Sequence, residues 1–534
     1  MRKISILLCI LFFVTSVQSS CNEKEQIVDF EEEGGIQISP EDERNFISRG
    51  WVCYSDFGAK GDGKTDDVKA IAETHKFANK HNLIVKADEE ATYYMGGRKN
   101  TVQIQTNTDF GTAEFIIDDT NIEDRGANVF SVNSTQEPLQ LTSLTTLKKN
   151  QKKIDVSLPS ACFVIVTNSN VKRYIRYGAN QNDGSPQTDI FVVDRNGNID
   201  KNTPVIWDFD EITNIKYLPI DETELTISGG RFTTIANREE SKYNYYNRGI
   251  AIRRSNVVVD GLEHRITGEG ANGAPYNGFI SISDCSNVTI KNAVLTGHKV
   301  YKTIGSAGSV VSMGTYDISV TRANNIRFEK CSQTNDIKDN TYWGIMGSNY
   351  CKNLVFDKCT FSRFDAHMGV VNATIRNSTL GHQGINAIGQ GLFTVENSTL
   401  YSTTFINLRS DYGSTWEGEF LIRDCVFVPR GSGDINLIGG SNSGKHDFGY
   451  TCHMPERITI ENLRIDDSNR PENYRGPAIF SDFNKEINDD SYVEDYPYIK
   501  TKEIILNNVT TVSGKSLRIS DNTFMFKEVT VTMR

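Results

Sequence analysis

Leu354-Val355-Phe356-Asp357-Lys358-Cys359, Ala373-Thr374-Ile375-Arg376-Asn377-Ser378 and Phe393-Thr394-Val395-Glu396-Asn397-Ser398 are consecutive copies of one short pattern. Each alternates apolar and polar residues with period two, which marks a strand with one buried face, and the Asn or Asp that follows tolerates a tight corner. Earlier copies are Leu225-Thr226-Ile227-Ser228-Gly229, Val257-Val258-Val259-Asp260-Gly261, Val288-Thr289-Ile290-Lys291-Asn292 and Ile326-Arg327-Phe328-Glu329-Lys330-Cys331. Later ones are Phe420-Leu421-Ile422-Arg423-Asp424-Cys425, Ile458-Thr459-Ile460-Glu461-Asn462 and Ile504-Ile505-Leu506-Asn507-Asn508. Units this short bury their apolar faces only by stacking. Residues 224–534 are therefore expected to form an all-β solenoid, a single-stranded parallel β-helix. The sequons at Asn287, Asn372, Asn377 and Asn397 fall on its corners and read as turn residues, with glycosylation the alternative.

Asp56-Phe57-Gly58-Ala59-Lys60-Gly61-Asp62-Gly63-Lys64-Thr65-Asp66-Asp67 precedes a helical run, Val68–Ala78. Thr65 or Asp66 is placed to cap this helix, and Val68, Ile71, His75 and Ala78 share one face, so it would plug the open first coil. The segment resembles the opening motif of the pectate-lyase-like superfamily, which includes polygalacturonases, lyases and phage tailspikes. The resemblance implies a right-handed β-helix and leaves the chemistry open. Residues 49–223 are read as the N-terminal cap, first coils and a small β insertion. In that insertion Phe163–Thr167, Lys172–Tyr177 and Asp189–Asn198 are expected antiparallel strands, with Asn196-Gly197 a hairpin turn.

Met1-Arg2-Lys3 and the apolar run Ile4–Val14 form an export signal over residues 1–20, too short to span a bilayer. Ser19-Ser20-Cys21 resembles the end of a bacterial lipoprotein signal, which implies lipidation of Cys21 and an outer-membrane tether, with residues 21–48 as linker. Gln18 stands where such signals usually carry Leu, and ordinary cleavage near Ser20 is the alternative. Export to the periplasm or cell surface is expected. Of ten cysteines, Cys285, Cys331, Cys359 and Cys425 are read as one half-buried column rather than a disulfide framework, and without a Cys-x-x-Cys pair no zinc site is expected. A net charge of −11 argues against nucleic acid. It leaves room for an acidic polysaccharide, which needs only local Arg or Lys.

The central apolar residue of each repeat serves as a ruler. Ile290 to Phe328 is 38 residues, Phe356 follows after 28, Ile375 after 19, Val395 after 20, Ile422 after 27 and Ile460 after 38. The shortest coils leave nothing for loops, so residues 356–395 should be the floor of a polymer cleft. Aligning Met368, Ile388 and Leu408 as inward residues of the second strand puts Asp365, His367 and Gly369 outward, then Ile385, Ala387 and Gly389, then Phe405, Asn407 and Arg409. His367 and Asn407 would then flank a gap of about two strand spacings, roughly 10 Å.

The candidate catalytic residues are His367, Arg409, Tyr412, Asn407 and His382. Arg363, Asp365, Asp411, Trp416 and Glu417 are expected to bind substrate, and His298 and Tyr316 are candidate wall residues. His382 could instead pack a corner, and His367 taken alone would be an ordinary surface histidine. For β-elimination on a uronic acid, Arg409 and Asn407 suit carboxylate neutralisation, His367 the base and Tyr412 the proton donor. A His367 pKa near the ordinary value of about 6.5 is expected. For hydrolysis, Asp365 with Asp411 or Glu417 are the carboxylate pair. The polygalacturonase pattern is not met in order, since Asn107-Thr108-Asp109 lies too early and no Arg-Ile-Lys occurs. The segments Arg363–Gly369 and Arg409–Gly418 resemble those of bacterial β-helix lyases acting on glycosaminoglycans, polysaccharide lyase family twenty-nine in particular. That implies chondroitin-, dermatan- or hyaluronan-like substrates; a pectin-like polymer is the other uronate class. A non-catalytic carbohydrate-binding solenoid is the third reading. A monomer is expected, no cofactor is required by the sequence, and Ca²⁺ is the one compatible addition.

Overall fold

Ten central residues of the repeats lie one above another in parallel register: Ile227, Val259, Ile290, Phe328, Phe356, Ile375, Val395, Ile422, Ile460 and Leu506. All are buried in one continuous apolar core, which each adds to at about 1.5–3 kcal/mol per large side chain. The structure is a computed structural model that describes Ile36, residues 38–141 and residues 144–533. The signal peptide and Cys21 lie outside the described residues. The chain from Ile36 onward makes up one compact unit.

The residue two places after each central position has a left-handed backbone: Gly229, Gly261, Asn292, Lys330, Lys358, Asn377, Asn397, Asp424, Asn462 and Asn508. Asn and Asp visit this conformation at low cost. Lys330 and Lys358 do so without that advantage, held by the coils on either side. The corner amides also bond rung to rung, as from Asn397 to Asn377 (2.6 Å) and from Asn377 to Asp357 (2.9 Å). Each sequon asparagine is such a corner, with Asn287 bonded to Asn256 and Asn372 to Asn353.

Cys331, Cys359 and Cys425 occupy one equivalent corner, fully buried rather than half-buried, with thiols turned to backbone carbonyls. Cys285 does not belong to that column, because it precedes its central residue and pairs beside Ala323. All eight described cysteines are free thiols.

The parallel sheet starts well before the regular repeats, with Val52 against Val85, Val85 against Thr108 and Thr108 against Ile227. The capping helix spans Val68–His81 and buries Val68, Ile71, His75 and Ala78 as its spacing requires. The helix boundary falls at Asp67, the expected Asp66 accepts the first helical N–H from Val68 at Oδ1 (3.1 Å), and the Asp67 carboxylate accepts from the Lys60 and Gly61 N–H groups, pinning the glycine-rich turn. Residues 40–48, expected as linker, belong to a further helix, Pro40–Arg49. Ser39 caps it, Pro40 opens it and Glu41, Asp42 and Glu43 fill its first turn, signals that favour a helix start.

The insertion is a three-stranded antiparallel sheet in which Cys162–Arg173 is flanked by Ser185–Val193 and Asn214–Pro219. Lys172–Tyr177 is not a separate strand: the first strand ends at Arg173, and the chain leaves the sheet to cross the solenoid. The insertion is tied down by the fully buried pair Lys352 to Asp189 (2.8 Å), with the Lys352 ammonium also donating to the Pro204 carbonyl (2.5 Å).

Candidate functional site

At one corner of three neighbouring coils the chain departs from the ladder. Ala366 pairs with Ala387 and Val370 with Gly389, so three residues of the first coil face one of the second. On the third coil Leu408 pairs with Ala387 and Trp416 with Gly389, leaving residues 409–415 as an excursion that contains the short helix Ser410–Tyr412. Bulges of this kind re-aim side chains. Here they carry His367, Arg409, Asp411 and Tyr412 to one place.

The bulge also corrects the expected register. Ala366, Ala387 and Leu408 face the core, while Met368 and Ile388 lie outside it, packed with Tyr174 and Tyr412. Ile385 and Ala387 therefore point inward, and the outward column is Asp365, Asn386 and Asn407 on consecutive rungs. Asn407 donates to Asn386 Oδ1 (2.8 Å) and Asn386 to the Gln383 carbonyl (3.0 Å), so these amides hold one another in place.

Five charged side chains alternate along the corner. Arg363 Nη2 lies 2.6 Å from Asp365 Oδ2, Arg409 Nη1 3.6 Å from Asp365 Oδ1, and Arg409 binds Asp411 through Nε (3.1 Å) and Nη2 (2.7 Å). Arg176, from the insertion, closes the series on Asp411 Oδ2 with contacts of 2.9 and 2.6 Å. Three guanidinium groups against two carboxylates leave one positive charge in excess. The face is covered rather than exposed: Asp365 is 0% and Arg409 14% accessible. Burial pushes the Asp411 carboxyl up, but Arg409 and Arg176 outweigh it and hold it below the usual carboxylate range. Burial likewise opposes the charge on Arg409, and Asp365 with Asp411 raises it above its ordinary range. Arg363 Nε and Nη1 are buried without a hydrogen-bond partner among the described residues. Native proteins seldom leave such donors unused.

His367 Nδ1 is 2.7 Å from Asn349 Oδ1. With the amide oxygen as acceptor the proton sits on Nδ1, and Nε2 carries the free lone pair. Burial, then Arg409, Arg176 and Arg363, hold the imidazole well below its ordinary pKa, which replaces the expected value near 6.5. Tyr412 lies edge-on to His367 at 5.4 Å between ring centroids, with Arg176 and Arg409 near its ring face at 5.3 and 5.5 Å. Burial pushes its phenol up to about 12 against the pull of those arginines, so it is a protonated donor at neutral pH.

Trp416 does not reach this site. It is 0% exposed, packed in the core 5.2 Å from Phe393 and 5.7 Å from Phe420, with Nε1 donating to the Gly391 carbonyl (2.9 Å). Glu417 lies beyond the corner, paired with Lys149 of the insertion (2.7 Å). His382 packs a corner: its backbone N–H and Nδ1 both face the Ile337 carbonyl, and neither contact reaches the arginines. His298 is buried in a separate cluster in which Asp317 Oδ1 meets His264 Nδ1 (2.7 Å) and His298 Nε2 (3.3 Å), so it is no wall. Tyr316 does approach: its ring covers Gly347, and burial together with the charges of Arg363, Asp365 and Arg409 sets its raised pKa.

Sequence reasoning missed Arg176, Asn349 and Asn386. The basic and aromatic run Lys172-Arg173-Tyr174-Ile175-Arg176-Tyr177 was the available signal for the first; the amides carried none. Among the described residues no cluster of His, Cys, Asp and Glu is arranged to hold a metal ion.

Two solved structures align over most of the chain. The Pseudomonas phage phi297 tailspike gp61 covers 91% of this chain and 84% of its own at 12% identity and TM-score 0.54. The gp54 tailspike of Acinetobacter baumannii bacteriophage AP22, solved in complex with A. baumannii capsular saccharide, covers 94% and 82% at 11% identity and TM-score 0.52. The chain shares the tailspike β-helix fold. In sequence it is similar to the capsule KL64-specific depolymerase of Klebsiella phage P510, 23% identical over an alignment 197 residues long that covers 30% of this chain and 19% of that protein. No protein-family model matches.

Proposed function

We propose that the protein cleaves a uronate-containing polysaccharide by β-elimination at the corner formed by residues 363–369 and 407–412. The observation that carries this reading is a cation excess beside His367, whose Nδ1 lies against Asn349 Oδ1 and whose charged form burial and the arginines disfavour. A saccharide-bound tailspike of the same fold and a phage depolymerase relative support a polysaccharide as the partner. Arg409 and Arg363 stabilise the uronate carboxylate as its neighbouring C5–H bond loses a proton to His367 Nε2. The electron pair forms the C4–C5 double bond, the C4–O bond breaks, and the leaving oxygen takes the Tyr412 hydroxyl proton. His367 then releases its proton to solvent and Tyr412 takes one up, which restores both groups.

Hydrolysis needs one carboxyl protonated to act as the acid. The lowered pKa of Asp411 and its double arginine pairing speak against it in that role. The substrate class within the uronates, glycosaminoglycan or pectin-like, belongs to this proposal, as do an extracellular location and a lipid tether at Cys21. Incubation with chondroitin, dermatan, hyaluronan and polygalacturonate, followed by ultraviolet absorbance, tests it. A rising signal of unsaturated uronate on at least one polymer is expected. Cleavage without that chromophore would transfer the protein to the hydrolases.

A further inference from the structure

A pocket opens beyond the aromatic side of the corner. Tyr174 and Ile388 line it and pack on their other side against Tyr412, so it is separated from the arginine series. Its volume of ≈ 280 Å³ is near the lower end of ligand pockets, about 300–1,000 Å³, and suits one or two sugar rings. The floor includes Gly369 and Gly389, where the chain leaves no space for a side chain: a Cβ would come within 2.6 Å of the Tyr174 hydroxyl at the first and 2.0 Å of the Val370 carbonyl at the second. The roof belongs to the insertion. Arg173 stacks over Trp207 at 4.6 Å and is oriented by Gln187 Oε1 (2.9 and 2.7 Å) and by the Gly449 carbonyl, to which Nη1 donates, yet has no carboxylate within 4 Å among the described residues. Trp207 Nε1 is buried with no acceptor. Lys149 and Glu417 at the rim cancel each other, which leaves Arg173 as the net charge.

We propose that this pocket is a second, independent subsite for an acidic sugar, in which Arg173 meets the anionic group and Trp207 offers its indole N–H to a ring oxygen. An aromatic body with a polar tip is suited to a sugar, which has both an apolar face and hydroxyl edges. Burial lowers the Arg173 pKa from its ordinary range, and the charges of Tyr174 and of Asp447, which is not in direct contact, oppose that shift without offsetting it. The subsite deepens the uronate reading, because it would hold a neighbouring residue of the same polymer, but it involves none of the groups assigned to bond cleavage.

The test uses binding, not turnover, so that it separates from the elimination reading. Saturation-transfer NMR is run with sodium D-glucuronate, sodium D-galacturonate and D-glucose at matched ionic strength on the Arg409→Ala protein, whose cleavage site is disabled. Uronate binding is expected to persist there, with glucose at least about tenfold weaker, since charge-assisted bonds are worth about 1.5–3 kcal/mol. Adding Arg173→Gln should weaken uronate by a similar factor. Thr451→Trp, at an exposed lining position, should block the pocket without disturbing the insertion. No uronate binding in Arg409→Ala, equal binding of glucose, or undiminished binding with Thr451→Trp would each overturn the proposal. Absence of unsaturated product from the wild type, with this binding intact, would remove the elimination reading and leave the subsite standing.

Discussion

Replacing Arg409 by Ala removes more than a substrate contact. Asp411 would lose two charge-assisted bonds, at 3.1 and 2.7 Å, and keep Arg176; fully buried Asp365 would lose the cation at 3.6 Å and keep Arg363 at 2.6 Å. Stranding a buried carboxylate costs about 3–5 kcal/mol, but here each retains one arginine, so a loss of about 2–3 kcal/mol is expected. The pH dependence has a definite sign. Asp411 is held below its unfolded pKa, so the stability it contributes is present above the ordinary carboxylate value of about 4 and is lost as pH falls through the folded value. The gap between wild type and Arg409→Ala should therefore be full at neutral pH and narrow below about pH 4. Urea unfolding at several pH values measures it, and Arg409→Lys, which keeps the charge without the fork, should fall between the two. Turnover of Arg409→Ala should drop by about 10²–10³ on its uronate polymer. Identical unfolding curves for wild type and Arg409→Ala at neutral pH would refute the assigned ion-pair series.

His367→Ala should lose kcat with little change in KM, since a base acts mainly in the transition state. The acid limb of kcat/KM should lie below about 6.5, because the imidazole needed in neutral form is held neutral by burial and three arginines; a limb at or above that value would contradict the assignment. Trp416→Ala should cost about 3–5 kcal/mol of stability in denaturant unfolding through the core cavity it leaves, rather than acting first on substrate affinity. Lys352→Met should destabilise by about 3–5 kcal/mol because it strands Asp189, and adding Asp189→Leu should restore much of the loss.

The solenoid was legible because its repeat is redundant. Ten central residues, each followed two places later by a corner residue, define both register and coil length, and the ruler from Phe356 to Val395 located the crowded corner. The ruler failed where redundancy ended. Met368 and Ile388 look inward by spacing, but the unequal bulges shift alternation there, and nothing in a single sequence announces a three-against-one bulge. Trp416 reads as a substrate-binding residue near Tyr412, yet it lies on the far side of the excursion and returns to the core. Arg176 follows a strand of a separate antiparallel sheet, so its place against Asp411 depends on a docking contact, Lys352 with Asp189, that local patterns do not encode.

The elimination reading depends most on a neutral His367 with its proton on Nδ1. Nitrogen-15 NMR of histidine-labelled protein, assigned by comparison with His367→Ala, measures tautomer and titration together and needs no substrate. The account predicts an Nδ1–H imidazole that is still neutral at about pH 6.5, where a free imidazole is half protonated. An Nε2–H tautomer, or a ring already charged at that pH, would contradict it.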